Sequence, residues 1–134
     1  MKQHLIFFIL FSFSYNQEKI EYRINMLGIP AAKCVYSITD TSIYNQSALK
    51  INYKVKTIGL YNLFFKIKNI YTVIFRKDSF EILSYFKNSI QPGINNKIST
   101  NYLNNKVSYK NGVDINSNET NIFVLLYMLS NNHF

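Results

Sequence analysis

The side chains able to do chemistry near neutral pH are few. They comprise His4, His133 and Cys34, and seven carboxylates spread along the chain: Glu18, Glu21, Asp40, Asp78, Glu81, Asp114 and Glu119. Acid–base catalysis by paired carboxyls needs two converging groups with separated pKa values. Asp78 and Glu81 come nearest, but they bracket the turn Lys77-Asp-Ser79, where an Asp serves the backbone. A nucleophilic cysteine needs a positioned base, and His133, next to the last residue, is poorly placed to supply one. With one cysteine no disulfide forms within the chain, and Cys34, between Lys33 and Val35, reads as a small buried hydrophobe. No three or four ligands stand at metal-binding spacing, and no glycine-rich phosphate loop occurs. The expectation is a protein that is not an enzyme and needs no cofactor or metal.

Binding is the other class of chemistry. The chain carries 15 basic and 7 acidic residues, a formal charge of +8, which attracts anionic surfaces without choosing among them. Between residues 46 and 110 there are eleven basic and two acidic residues. Single-stranded nucleic acids are held by basic grooves with exposed aromatics. Here Tyr53 and Tyr71 alternate out of phase with Lys50, Lys54 and Lys56, so rings and charges fall on opposite faces. A solvated sheet face is the preferred reading and no nucleic-acid partner is expected; single-strand binding stands as the weakest alternative. Phe, Tyr and Ile crowd both faces of residues 67–86 more than a thin sheet needs. That density makes Tyr53, Leu60, Phe64, Tyr71, Phe75 and Phe86 the candidate wall of a site for a lipid or another apolar ligand.

The elements that must position these residues alternate with period two. Ile20, Tyr22, Ile24 and Met26 form a first strand, broken at Gly28-Ile-Pro30. Cys34, Tyr36 and Ile38 form a second, ending in Thr39-Asp-Thr-Ser42 as a turn. Leu49, Ile51, Tyr53, Val55 and Thr57 face a core while Lys50, Asn52, Lys54 and Lys56 face water. Ile67 to Arg76 is apolar on both sides. Phe80, Ile82, Ser84 and Phe86 share one face of the next strand, against Glu81, Leu83, Tyr85 and Lys87. Gln91-Pro-Gly-Ile94 turns the chain into a strand through Ile98, Thr100 and Tyr102. Asn104-Asn105 and Asn111-Gly112 are turn candidates on either side of a strand starting at Val107 and Tyr109, and Asp114 to Asn121 reads as loop. Ile122 to Leu129 follows an Asn or Thr cap with Glu119 near the first turn, which favours a helix; a buried strand is the rival reading.

Ahead of all this, Lys2 and the apolar run Leu5 to Phe13 fit an export signal, with small residues Ser12 and Ser14 set for cleavage after Ser14. The run is too short to span a bilayer. The expected organisation is a signal peptide over 1–14 and one curved β-sheet domain over 15–134, with no transmembrane helix in the mature chain.

Between two strands sits Ile58-Gly-Leu-Tyr-Asn-Leu-Phe-Phe65, whose spacing fits no strand. Leu60, Leu63 and Phe64 recur at helical spacing, so one turn could lay all three on the sheet. This block, Lys56 to Tyr71, together with Tyr22-Arg-Ile-Asn-Met-Leu-Gly-Ile-Pro-Ala-Ala32, Leu83-Ser-Tyr-Phe-Lys87 and Asn121-Ile-Phe-Val-Leu-Leu-Tyr-Met-Leu129, resembles domain-of-unknown-function family 3108, exported bacterial proteins of uncharacterised role. Ala32 stands where relatives often have Gly, and no Pro precedes Ser84. The resemblance implies a periplasmic or envelope location and a strongly curved antiparallel meander, a half-barrel or open barrel similar to periplasmic lipoprotein carriers. It also implies a truncated version, since relatives run on past residue 129.

The fold expected is therefore mainly β, with a short helical insert and a C-terminal helix. The function expected is a non-enzymatic envelope protein holding a lipid or other apolar ligand on the concave sheet face. The alternative is a structural or protein-interaction module of the envelope, with a protein partner and no small ligand.

Overall fold

The computed structural model describes residues 18–103, 106–109, 114–116 and 121–132. The expected signal peptide, the turn candidates Asn104-Asn105 and Asn111-Gly112, and Glu119 lie outside them. The chain is mainly β. Its strands are β1 (Glu18–Met26), β2 (Ile29–Ile43), β3 (Gln46–Thr57), β4 (Lys68–Arg76), β5 (Ile82–Gln91), β6 (Ile94–Leu103), β7 (Lys106–Tyr109) and β8 (Asp114–Asn116). Helix α1 (Tyr61–Phe64) interrupts β3 and β4, and α2 (Ile122–Ser130) closes the order. The strands form one antiparallel meander in sequence order, and among the described residues β1 and β8 do not pair with each other, so the sheet is open.

Directly opposed residues share a face, so register sorts the side chains. Ile38, Ile51, Val73 and Tyr85 stand opposite one another across β2 to β5. They belong to the core face, where Ile38, Leu49, Ile51, Val73, Phe75, Ile82 and Val124 cluster. Each such side chain contributes about 1.5–3 kcal/mol on burial. Val124 comes from α2, which lies across this face; Tyr127 of the same helix packs its ring 5.4 Å from that of Phe75. Asn121 starts α2 by accepting a hydrogen bond from the Phe123 N–H at 2.9 Å. Residues 122–130 are thus helix, the preferred of the two readings.

Four expectations are corrected. The run Thr39-Asp-Thr-Ser42 is strand; β2 continues to Ile43 and turns at Tyr44-Asn45, both at positive φ. β-Branched threonines pair well along a ladder, and the register with β3 is unbroken. Asp114–Asn116 is a short strand paired with β7 rather than loop. The β4–β5 pairing slips between Ile74 and Phe75, leaving Leu83 as an extra residue. A bulge reverses the alternation beyond it, so Tyr85 faces the core with Ile82, while Ser84 and Phe86 face the other way. Phe86 pairs with Thr72 on the lysine-bearing face, with Lys97 Nζ 5.8 Å from its ring centroid.

The fourth correction concerns the insert. Gly59 takes a positive φ of 56°, as a reversal after β3 requires, and the helical turn forms. It does not lie on the sheet. Leu60, Leu63, Phe64 and Phe65 are all exposed, and α1 buries nothing. The covering position they were expected to fill is taken by α2. The insert is instead held upright at its base: Thr57 and Ile67 exchange hydrogen bonds at 3.0–3.1 Å, and the Ile58 N–H donates to the Ala31 carbonyl at 2.9 Å. The Tyr61 hydroxyl donates to the Met26 carbonyl at 3.2 Å, tying the insert to the β1–β2 hairpin.

Candidate ligand-binding groove

α2 covers the middle of the core face and leaves its β1 side bare. Ile20, Tyr22, Ile24 and Met26 alternate along β1 on that face, and all four are exposed. Edge position explains this: among the described residues β1 has a neighbour on one side only, and the helix ends short of it. Between β1 and α2 lies a cavity of about 590 Å³. Its floor is Ile20, Tyr22, Tyr36, Ile38 and Tyr53, its far wall Phe123 and Leu126, and Glu18, Ser130 and Asn131 supply its polar groups. The volume falls within the roughly 300–1,000 Å³ of ordinary small-molecule sites.

The floor is held in place. The hydroxyls of Tyr22 and Tyr53 are 2.6 Å apart and share a hydrogen bond. The Tyr53 and Tyr71 rings pack against Phe123 at 5.5 and 5.4 Å. Burial, reinforced by the charge of Glu18, pushes the Tyr36 hydroxyl up to about 12. Burial and the bond to Tyr22 also raise Tyr53. Both phenols are neutral over the whole physiological range, so the groove presents neutral hydroxyls and aromatic faces, with the Glu18 carboxylate at its rim. It can hold a slim apolar chain and hydrogen-bond an uncharged polar end.

The six residues expected to wall a site do not gather in one place. Tyr53 lines the groove, and Tyr71 supports it from beneath Phe123. Phe75 is fully buried under Tyr127 and offers no surface. Leu60 and Phe64 project from the insert, and Phe86 lies on the opposite face. The residues missed are Ile20, Tyr22, Tyr36, Ile38, Phe123 and Leu126. The alternation of β1 was visible, but its edge position and the resting place of α2 are tertiary facts with no local sequence signal.

Among the described residues no three or more His, Cys, Asp or Glu side chains cluster as metal ligands, and no helix is long and apolar enough to cross a membrane. Cys34 is buried at the sheet face. No protein-family model matches the chain, and neither a curated protein nor a solved structure is detectably similar to it.

Proposed function

We propose that this protein is a non-enzymatic binding module that holds one acyl chain, or a similarly slim apolar ligand, in the groove between β1 and α2. The observation that carries the reading is the cavity itself, about 590 Å³ of largely apolar surface on a face otherwise closed by a helix. The apolar run Leu5 to Phe13, read as an export signal, supports a place for it in the cell envelope. The ligand is placed in this groove rather than across the whole core face, because α2 covers the middle of that face.

The test is uptake of an uncharged fluorescent acyl probe, with native mass spectrometry of gently purified material alongside. An uncharged probe keeps the lysines of the other face out of the measurement. The parent takes up the probe, and Leu126→Trp, which fills the groove from an exposed helical position, weakens uptake at an unchanged melting temperature. No uptake by the parent, or full uptake by Leu126→Trp and Ile20→Trp alike, would sink the reading.

A second reading, a protein-interaction module, is favoured by the outer edge of β1, which pairs with no strand among the described residues. Two copies paired antiparallel about Tyr22 set Ile20 against Ile24 on one face and Glu21 against Arg23 on the other. Shifting the register by two in either direction opposes Glu21 to Glu21 or Arg23 to Arg23, which is unfavourable. Among the described residues Arg23 has no carboxylate partner within its own chain. Light scattering decides: a dimer that Arg23→Glu dissociates supports it, and a monomer at all concentrations removes it.

A further inference from the structure

The face opposite α2 carries a row of cations that the fold has no use for. Register places Arg23 opposite Lys33, Lys33 opposite Lys56, and Lys56 opposite Lys68. Four like charges thus stand abreast on four adjacent strands, a row of roughly 14 Å at the usual strand spacing. Directly opposed like charges destabilise a sheet. One carboxylate relieves them: Glu21 pairs with Lys33 at 2.8 Å and with Lys19 at 2.9 Å, and these partners hold its carboxyl down at about 2. Lys33, Lys56 and Lys68, with Lys54, line a depression of about 260 Å³ floored by Val35 and Ile70.

The end of the sheet next to this row is apolar and bare. Lys56 and Lys68 lie one residue from Thr57 and Ile67, where the insert leaves and rejoins the strands. Beyond them Leu63 and Phe64 are each 76% exposed, and Leu60 and Phe65 are close behind. The β1–β2 turn stands beside the insert, joined to it by the Tyr61 and Ile58 bonds, and its Leu27 is 93% exposed. Leu27 and Gly28 have φ of 52° and 77°, the two positive values of a tight hairpin turn. Asn or Gly belongs at the first of these positions. A leucine there is strained and buries nothing, so local structure does not account for it.

We propose that this end of the molecule docks on an anionic lipid bilayer. Leu27, Leu60, Leu63, Phe64 and Phe65 enter the boundary between headgroups and acyl chains, and Arg23, Lys33, Lys56 and Lys68 lie over the headgroup phosphates. Depth and charge agree. An interfacial apolar face sinks about 5–10 Å; Lys56 and Lys68, one residue back from the ends of the insert, come to headgroup level, while Arg23, four residues back from Leu27 or about 13 Å at roughly 3.3 Å per residue, and Lys33 beside it lie at the outer edge of the headgroups. Attraction to an anionic surface acts within a Debye length, about 8 Å at physiological salt. The site is distinct from the groove and does not depend on it.

The experiment is flotation of the full chain with vesicles of phosphatidylcholine, with and without phosphatidylglycerol, over a range of salt. All variants keep the full chain, so any affinity of the leading apolar run is common to them. The parent floats with the anionic vesicles and is released as salt rises. Leu63→Ser/Phe64→Ser lowers binding roughly tenfold or more at an unchanged melting temperature. Leu27→Asn and Lys56→Glu each lower binding while raising the melting temperature, the first by relieving strain and the second by turning two repulsions into attractions. A merely structural role would move stability and binding together. Equal binding to neutral vesicles, no loss in the serine variant, or binding of a single-stranded oligonucleotide that Lys56→Glu abolishes and the serine variant leaves intact would overturn the assignment. Leu126→Trp floats like the parent, so failure of the groove reading and failure of this one are told apart.

Discussion

Phe64 and Phe75 are the same residue type in opposite circumstances. Phe75 is fully buried between Phe80 and Tyr127, its ring 6.4 and 5.4 Å from theirs, so truncation leaves a cavity. Phe75→Ala is expected to cost roughly 3–5 kcal/mol. Phe64 stands in water, and Phe64→Ala is expected to stay within about 0.5 kcal/mol. Urea denaturation of the two variants checks the pair, and equal costs would contradict the burial described. The tyrosines add a pH dependence. Burial raises Tyr36 from 10.0 to about 12 in the folded chain, so its phenol stays protonated where the unfolded chain has ionised. Its contribution is complete below pH 10 and is lost as pH rises from there toward 12. Tyr53 and Tyr85 shift in the same direction. The urea midpoint therefore falls across that window, and Tyr36→Phe makes the fall shallower; an equally steep fall in the variant would remove Tyr36 from the account.

At the scale of elements, α2 is the piece on which groove and core both depend. Its N-cap rests on one bond, from the Phe123 N–H to Asn121 Oδ1. Asn121→Ala is expected to cost about 0.5–2 kcal/mol. Because Phe123 and Leu126 wall the groove, acyl-probe affinity should fall with it, and a loss of stability without a loss of affinity would detach the helix from the site. The helix was legible in sequence from its cap and its unbroken apolar run. The strands were legible too, since alternation such as Lys50-Ile-Asn-Tyr-Lys54 admits no other period. What escaped was what alternation cannot carry. One extra residue, Leu83, inverts the faces of β5 and moves Phe86 away from Tyr53 and Tyr71. Spacing marked Leu60, Leu63 and Phe64 as neighbours on one turn, but not whether that turn would meet the sheet or water. The groove was illegible for a related reason: its two walls come from opposite ends of the sequence, and their meeting is decided by where α2 comes to rest.

The whole molecule segregates its surface chemistry. The face under α2 is mainly aromatic and aliphatic, with Glu18, Asp40 and Lys87 its charges by register, and the opposite face gathers lysine against a single glutamate on β1 to β4. That asymmetry predicts an unusual response to salt. Exposed ion pairs weaken as ionic strength rises, because the Debye length shrinks to about 10 Å at 0.1 M. Here the dominant interaction along the row Arg23, Lys33, Lys56 and Lys68 is repulsion between neighbours roughly 5 Å apart. Each opposed like pair costs a few tenths of a kcal/mol up to about 1, so the row as a whole costs about 1–2 kcal/mol at low salt. Screening relieves part of that, and the melting temperature should climb by a few degrees between low salt and about 0.15 M. Lys56→Glu stands at the centre of the row and converts two of its three repulsions. It should melt higher than the parent in low salt and lose most of the salt-dependent rise. Vesicle binding should move the opposite way in the parent, weakening over the same salt range in which the fold gains stability. A parent whose melting temperature falls with salt would mean that the ion pairs of Glu21, Asp40 and Glu81 outweigh the row, and the cations would then be an ordinary solvated face.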